Sequence, residues 1–488
     1  MKAILNHRVD GTNKRTMEAL ATMSLPSTKG SSIASAMQDE LALLPDTQGD
    51  DDFRYAISTI IMSHWSECLK QTHVSSLTFD TQIMLKCYQF EPVSTLSDLL
   101  MFLLFDSTEQ LSTALIPQLT RLCLATIDLI AVPTARAAQS TAVIQGPIET
   151  LKQMIEPVDY LDFLHLMAFN CYPNVESLTT FWSAMEFDFV LIMLHRGQPV
   201  AQITLMLQLL STSILPDSFG SRARPRNSES GAQTPTIPMP HQSRNENALL
   251  DRLTVLLFEV PSSLSRDLAS ASGEQTNSPS PTALPSLRTA VLSLLTELAD
   301  SPYGAQLLAT HRLVFGRLVR FLHDAILAMY NYCPTLTALP AAATVDPAAK
   351  DDFTMEPPPL TAHDHYTTHV NLTVLLLALL TEVDIHVPHP PLSATTAPTS
   401  ASASALPTST SPPTTTRLDV RAKLSLIPGG SSKHLVSLSR IAFADGLTAI
   451  ERGIEAEAAD AAHRMLDELL SPEEGEDVMV VFGGGTMG

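Results

Sequence analysis

The densest collection of side chains able to do chemistry is His363-Asp364-His365-Tyr366-Thr367-Thr368-His369, in which His365 and His369 stand one helical turn apart. Two imidazoles at that spacing supply half of a zinc site. No further ligands accompany them, and the segment enters a helix beside a Pro-rich loop. The expectation is polar helix-start histidines and no bound metal. Five cysteines, Cys68, Cys87, Cys123, Cys171 and Cys333, are scattered singly, with no paired spacing, and read as reduced core thiols of an intracellular protein. Met185, Met193 and Met206 are read as core filling. There is no P-loop, dinucleotide Gly-rich turn, nucleophile-elbow serine, HExxH helix or kinase motif set. Gly483-Gly484-Gly485 ends the chain after a Phe, opens no helix and cradles no phosphate. No nucleophile, base and oxyanion set can be assembled, so the chain is read as a non-enzyme without cofactors.

The elements that would position any function are helical. The stretch from Ser177 to Leu215 reads as two buried helices around the turn His195-Arg196-Gly197-Gln198-Pro199. Only Glu186 and Asp188 are polar between Met185 and Leu194, and only Thr204 and Gln208 between Ile203 and Leu210. Neither helix can have a fully wetted face. Gly197 is expected to be the left-handed residue of a helix end, and Pro199 to open the next helix. The hairpin is 39 residues long, close to the roughly 40–47 of a HEAT or armadillo unit. The expected fold class is therefore all-α, a HEAT/armadillo-like helical repeat array with Pro/Ser/Thr-rich linkers and a small C-terminal helical module.

In order, residues 1–47 read as a loose arm without heptads, and 48–216 as the array, with helices at 51–73, 78–90, 93–105, 109–131, 148–155 and 158–170 before the hairpin. Pro117 is expected to kink the fourth helix and Pro133 to end it. Residues 217–245 lack apolar periodicity and hold Arg222, Arg224, Arg226 and Arg244. They read as a solvated linker rather than a nuclear address. Helices at 246–260, 284–299, 311–332 and 364–384 continue the array over 246–384; 385–431 reads as a Pro/Ala/Ser/Thr-rich linker, 432–482 as the C-terminal module and 483–488 as a frayed tail. In that module Leu435, Leu438 and Ile441 open a helix, a second runs from 457 to 470, and Ser471-Pro472 has the pattern of an N-cap.

The charge bounds the partners. The 488 residues carry 30 Lys plus Arg against 51 Asp plus Glu, a net −21, which argues against direct DNA binding because a nucleic-acid surface needs a basic stripe. No apolar run approaches the roughly 20 clean residues of a membrane span: Leu115 to Val132 carries Arg121 and Asp128. A soluble protein without a membrane partner is expected. Thr47-Gln48 and Thr81-Gln82 match the minimal preference of checkpoint kinases for a following Gln. Thr234-Pro235, Ser278-Pro279, Ser280-Pro281 and Ser411-Pro412 offer proline-directed sites in loose segments.

The strings MEFDFVLIMLHRGQPVAQITLMLQLLSTSILPDSFG at 185–220, LLDRLTVLLFE at 249–259 and AHRMLDELLSPEEGE at 462–476 resemble the fungal ATRIP-like proteins, the regulatory partners of the ATR checkpoint kinase. The resemblance covers about residues 50–482. It implies a nuclear scaffold of the DNA damage checkpoint that binds an ATR-type phosphatidylinositol-3-kinase-like kinase through its C-terminal part and carries it to single-stranded DNA coated with replication protein A. The family usually begins with a DNA-coat-binding acidic segment and a dimerising coiled coil. Neither is visible here, so the resemblance leaves open whether this chain itself recruits and dimerises. By analogy Leu435, Leu438, Ile441, Met465, Leu469 and Phe482 are the partner-binding candidates. Two other functions fit the residues: a general helical-repeat adaptor in transport or complex assembly, and a metal-dependent hydrolase built on the histidine cluster.

Overall fold

A computed structural model describes residues 7–8, 15–24, 31–43, 50–70, 92–104, 112–139, 155–222, 240–264, 282–331, 362–386, 415–444, 453–471 and 474. The chain is an all-α helical-repeat array, relieved among the described residues by one short strand pair. It divides into two compact units, Met1–Ala290 and Val291–Gly488.

In the first unit the helices are α1 (Thr16–Thr22), α2 (Ile33–Ala42), α3 (Asp50–Lys70), α4 (Pro92–Leu104), α5 (Ile116–Gln139), α6 (Pro157–Cys171), α7 (Val175–Ala184), α8 (Phe187–Met193), α9 (Val200–Ser211) and α10 (Pro240–Leu256). α5 is the hub: α3, α6, α7 and α8 all pack on it. It starts later than expected and runs past Pro133. Pro117 lies in its first turn, where the missing N–H has no intrahelical acceptor to lose. Pro133 forfeits one ladder bond, but Ile130, Ala131 and Ala135 around it are buried, so packing holds the helix through the defect. Residues 116–138 are long and apolar enough to cross a membrane, yet over half of that segment is buried inside the fold. A central core helix passes the same test.

The hairpin comprises three helices rather than two, because the backbone turns extended at Met185 and Glu186 between α7 and α8. Gly197 is not left-handed: among the described residues only Gly220, Gly429 and Gly453 have positive φ. Its requirement is space, since a Cβ there would meet the Ala138 Cβ at 2.6 Å. Gln198 pins the turn by donating from Nε2 to the carbonyls of Ala131 at 2.8 Å and Ile192 at 3.2 Å. Pro199 stands just before the helix, as the cap of α9. The beginning of the expected 217–245 linker is folded: Phe219 is fully buried, its N–H donates to Glu246 at 3.1 Å, and the Gly220 N–H donates to Ser213 at 3.0 Å. Its end is the first turn of α10. In the expected loose arm, α1 packs on α2 and α2 on α3, with Leu20, Ile33 and Met37 fully buried.

The second unit holds the remainder of α11 (Ala283–Asp300), then α12 (Pro302–Thr310), α13 (Val314–Asn331), α14 (Ala362–Thr381), β1 (Asp384–His386), β2 (Thr415–Arg417), α15 (Val420–Ser425), α16 (Gly430–Ala442) and α17 (Ala456–Leu469). α12 lies between the expected 284–299 and 311–332 helices and was not expected. Ser301 caps it by accepting from the Gly304 N–H at 3.0 Å. The antiparallel β1–β2 pair, Asp384 opposite Arg417, and α15 occupy the two ends of the expected 385–431 linker. The interior of that stretch, the expected 78–90 helix, all but the last residue of the expected 148–155 helix, Cys87, Cys333, the Thr-Gln and Ser/Thr-Pro dipeptides, Phe482 and 483–488 lie outside the described residues.

Candidate partner-docking site

α13 is the ridge on which the C-terminal module is built. Val314, Leu318, Phe321, Ala325 and Met329, at helical spacing, are all buried, and α14 covers one flank while α15 and α16 cover the other. α17 closes the module by packing on both α14 and α16. Ala458, Ala461 and Ala462 at the contact are fully buried, because small side chains let helix backbones approach. Polar ties fix the register. Asn371 of α14 donates to the Gly453 carbonyl at 3.1 Å and accepts from the Glu455 N–H at 3.3 Å, clamping the entry to α17. Lys423 donates to the Thr310 and His311 carbonyls at 3.0 and 2.8 Å, a cation set at the C-terminus of α12 where the carbonyls are otherwise unsatisfied.

Between β2–α15 and the ends of α14 and α17 lies a cleft of ≈ 190 Å³, lined by Thr381, Leu418, Asp419, Val420, Arg421, His434, Met465, Glu468 and Leu469. Its rim is ionic: Arg417 pairs with Glu468 at 3.3 Å, and Arg421 donates to the Leu469 carbonyl at 3.2 Å. Its wall holds His434, 1% exposed, edge-on to Phe315 with ring centroids 5.7 Å apart. Neither ring nitrogen has a hydrogen-bond partner. Burial lowers its pKa to about 4, so the imidazole is neutral, with one donor and one acceptor unused.

Of the sequence-derived candidates, Leu438, Ile441 and Met465 are buried within the module, Met465 also lining the cleft. Leu435 and Leu469 are partly exposed. Arg417, Arg421, His434 and Glu468 were missed: Arg417 and Glu468 meet across 51 residues, a pairing with no local signal. His365 and His369 are core residues, 4% and 1% exposed, with His369 against Phe321 at 5.6 Å, so they do not stand at a wetted helix start. Among the described residues no three His, Cys, Asp or Glu side chains gather as a metal site would require. Cys68, Cys123 and Cys171 are free buried thiols; burial pushes Cys68 and Cys171 up to about 11 and Cys123 higher still, which suppresses the thiolate.

Stacked helix pairs ending in a compact helical module with an ionic cleft define a helical-repeat protein that offers surfaces to other macromolecules. Comparison with known families agrees: the family described as Rad26-like, helical repeats, matches residues 122–380, its C-terminal domain matches 418–482 and its N-terminal domain 1–48. The repeat match alone spans more than half of the chain, and the chain belongs to the Rad26-like family. The crystal structure of Myceliophthora thermophila Rad26, residues 373–841, is similar in fold, with a TM-score of 0.62 at 21% identity over 93% of this chain and 96% of that one. No curated protein matches.

Proposed function

We propose that this protein is a non-catalytic, nuclear scaffold of the DNA damage checkpoint of the ATRIP type, binding and regulating an ATR-type kinase and helping to bring it to damaged DNA. The observation that carries the reading is that a Rad26-like C-terminal domain, 418–482, follows Rad26-like helical repeats, 122–380. In this reading 48–216 and 246–384 are the repeat scaffold and the module around the cleft docks the kinase. Contact with DNA then runs through replication protein A, since a surface of net −21 repels phosphates directly.

The test keeps the chain whole. Deleting 432–488 would remove most of α16, which packs on α13 and sets His434 against Phe315, so loss of binding would report unfolding. Full-length tagged chain is instead purified from cells beside a variant with Arg421→Ala and Glu468→Ala, both exposed rim positions. Co-purification of a giant phosphatidylinositol-3-kinase-like kinase, reduced at least tenfold by the double substitution at unchanged helicity, is the expected result. Absence of the kinase from the wild-type sample rejects the function, and equal recovery by both chains rejects the cleft as its site.

A further inference from the structure

Ten large apolar side chains are exposed among the described residues, and four of them, Leu166 at 41%, Phe169 at 67%, Tyr172 at 63% and Val175 at 62%, fall within ten residues at the corner between α6 and α7. Scattered exposed apolar residues are ordinary, whereas a contiguous aromatic and aliphatic patch marks an interaction surface. The spacing makes these residues contiguous. Asp159, Asp162, Leu166, Phe169 and Tyr172 follow one another at steps of three, four, three and three, one face of a helix that ends at Cys171. Val175 then begins α7 after a turn in which Asn174 accepts from the Glu176 and Ser177 N–H groups at 2.9 and 3.3 Å. That cap holds the corner rigid, so the patch is presented by two ordered helices and not by a loose loop.

The occupant is set by charge. From residue 153 to 195 the sequence has six carboxylates and no Lys or Arg, and Glu156, Asp159, Asp162 and Glu176 around the patch are all exposed. The field is felt locally, since burial and the charge of Asp162 together raise the carboxyl of Asp159. A second copy of the chain would bring the same acidic rim against itself, at a net charge of −21 per copy. We propose that this face docks an amphipathic helix of a partner protein, one that sets large apolar side chains against Phe169, Tyr172 and Val175 and flanks them with Lys or Arg. Aromatic anchors supply the affinity and the carboxylate rim the selection and the on-rate. The surface belongs to the first unit and is independent of the kinase-docking cleft.

The probe is an amidated, fluorescein-labelled 18-residue peptide of Leu and Lys patterned as an amphipathic helix, set beside a scramble of equal composition without an apolar face. Titrated with the full chain, the patterned peptide is expected to bind at least tenfold tighter than the scramble. Phe169→Ser with Tyr172→Ser should remove that advantage, and Asp159→Asn with Asp162→Asn should flatten its salt dependence. Val175→Ser gives a milder check on the same face. Equal binding of the two peptides means charge alone, and an advantage untouched by the serine substitutions places the docking elsewhere; either overturns the proposal. Sedimentation showing a dimer that the serine variant disperses assigns the face to a second copy and overturns it equally.

Discussion

His434 should make the C-terminal module acid-labile within a defined window. Its imidazole is 1% exposed and burial lowers its pKa from 6.5 to about 4. The folded chain therefore holds it neutral while the unfolded chain takes up a proton from pH 6.5 downward. Stability linked to this group is unaffected well above pH 6.5, falls as pH drops through the window, and stops falling below about 4. At about 1.36 kcal/mol per pH unit the loss is about 2 kcal/mol at pH 5 and about 3 kcal/mol at pH 4. Both tryptophans, Trp65 and Trp182, lie in the first unit, so tryptophan fluorescence has no reporter in the module. Native-state hydrogen exchange of the amides of α16, between Leu435 and Ala442, is the appropriate readout, after correction for intrinsic rates. His434→Leu keeps an apolar wall, removes both orphaned nitrogens, and should abolish the window while leaving protection at pH 7 equal or higher. If wild type and His434→Leu lose protection in parallel between pH 7 and 4, the burial argument is wrong.

Two further perturbations test the packing of each unit. Gly430→Ala would place a Cβ 2.4 Å from the Leu424 carbonyl oxygen, a backbone atom that cannot swing away, so α15 and α16 must separate; a loss of about 1–3 kcal/mol is expected, read by exchange across Val420–Ala442. Asp128 sits in α5 with one carboxylate oxygen buried and without a partner, and burial followed by the charge of Glu186 raises its pKa to about 6. A carboxyl raised in the folded state stabilises below its unfolded value and loses that contribution as pH rises from about 4 through 6. Asp128→Asn should accordingly raise first-unit stability at pH 7 by about 1–2 kcal/mol, after discounting for partial solvation, and make it flat across that range in urea unfolding followed by tryptophan fluorescence. An unchanged midpoint would count against it.

Several local decisions were legible in the chain. Helical spacing of Val314, Leu318, Phe321, Ala325 and Met329 marks the face that α13 buries. Ser471 and Glu474 form the reciprocal cap that Ser-Pro-Glu-Glu suggests: the Ser471 N–H donates to the Glu474 carboxylate at 2.9 Å and the Glu474 N–H to the Ser471 hydroxyl at 3.3 Å. Other features misled. Pro133 looks like a stop and lies inside α5, because burial on several sides outweighs one missing hydrogen bond. Residues 217–222 look like linker and are folded, because Phe219 is buried and the segment is hydrogen-bonded to Glu246, Ser213, Met185 and Trp182.

By itself, then, the sequence determined that this is a helical protein of buried, amphipathic segments with an acidic surface, since periodicity, caps and charge are properties of neighbours along the chain. What covers each apolar face was decided only by tertiary packing. His434 became an orphaned imidazole beside a cleft, Leu438 and Met465 went inside, and Phe169 and Tyr172 stayed out, because those outcomes depend on contacts between residues scores of positions apart, to which local spacing is blind.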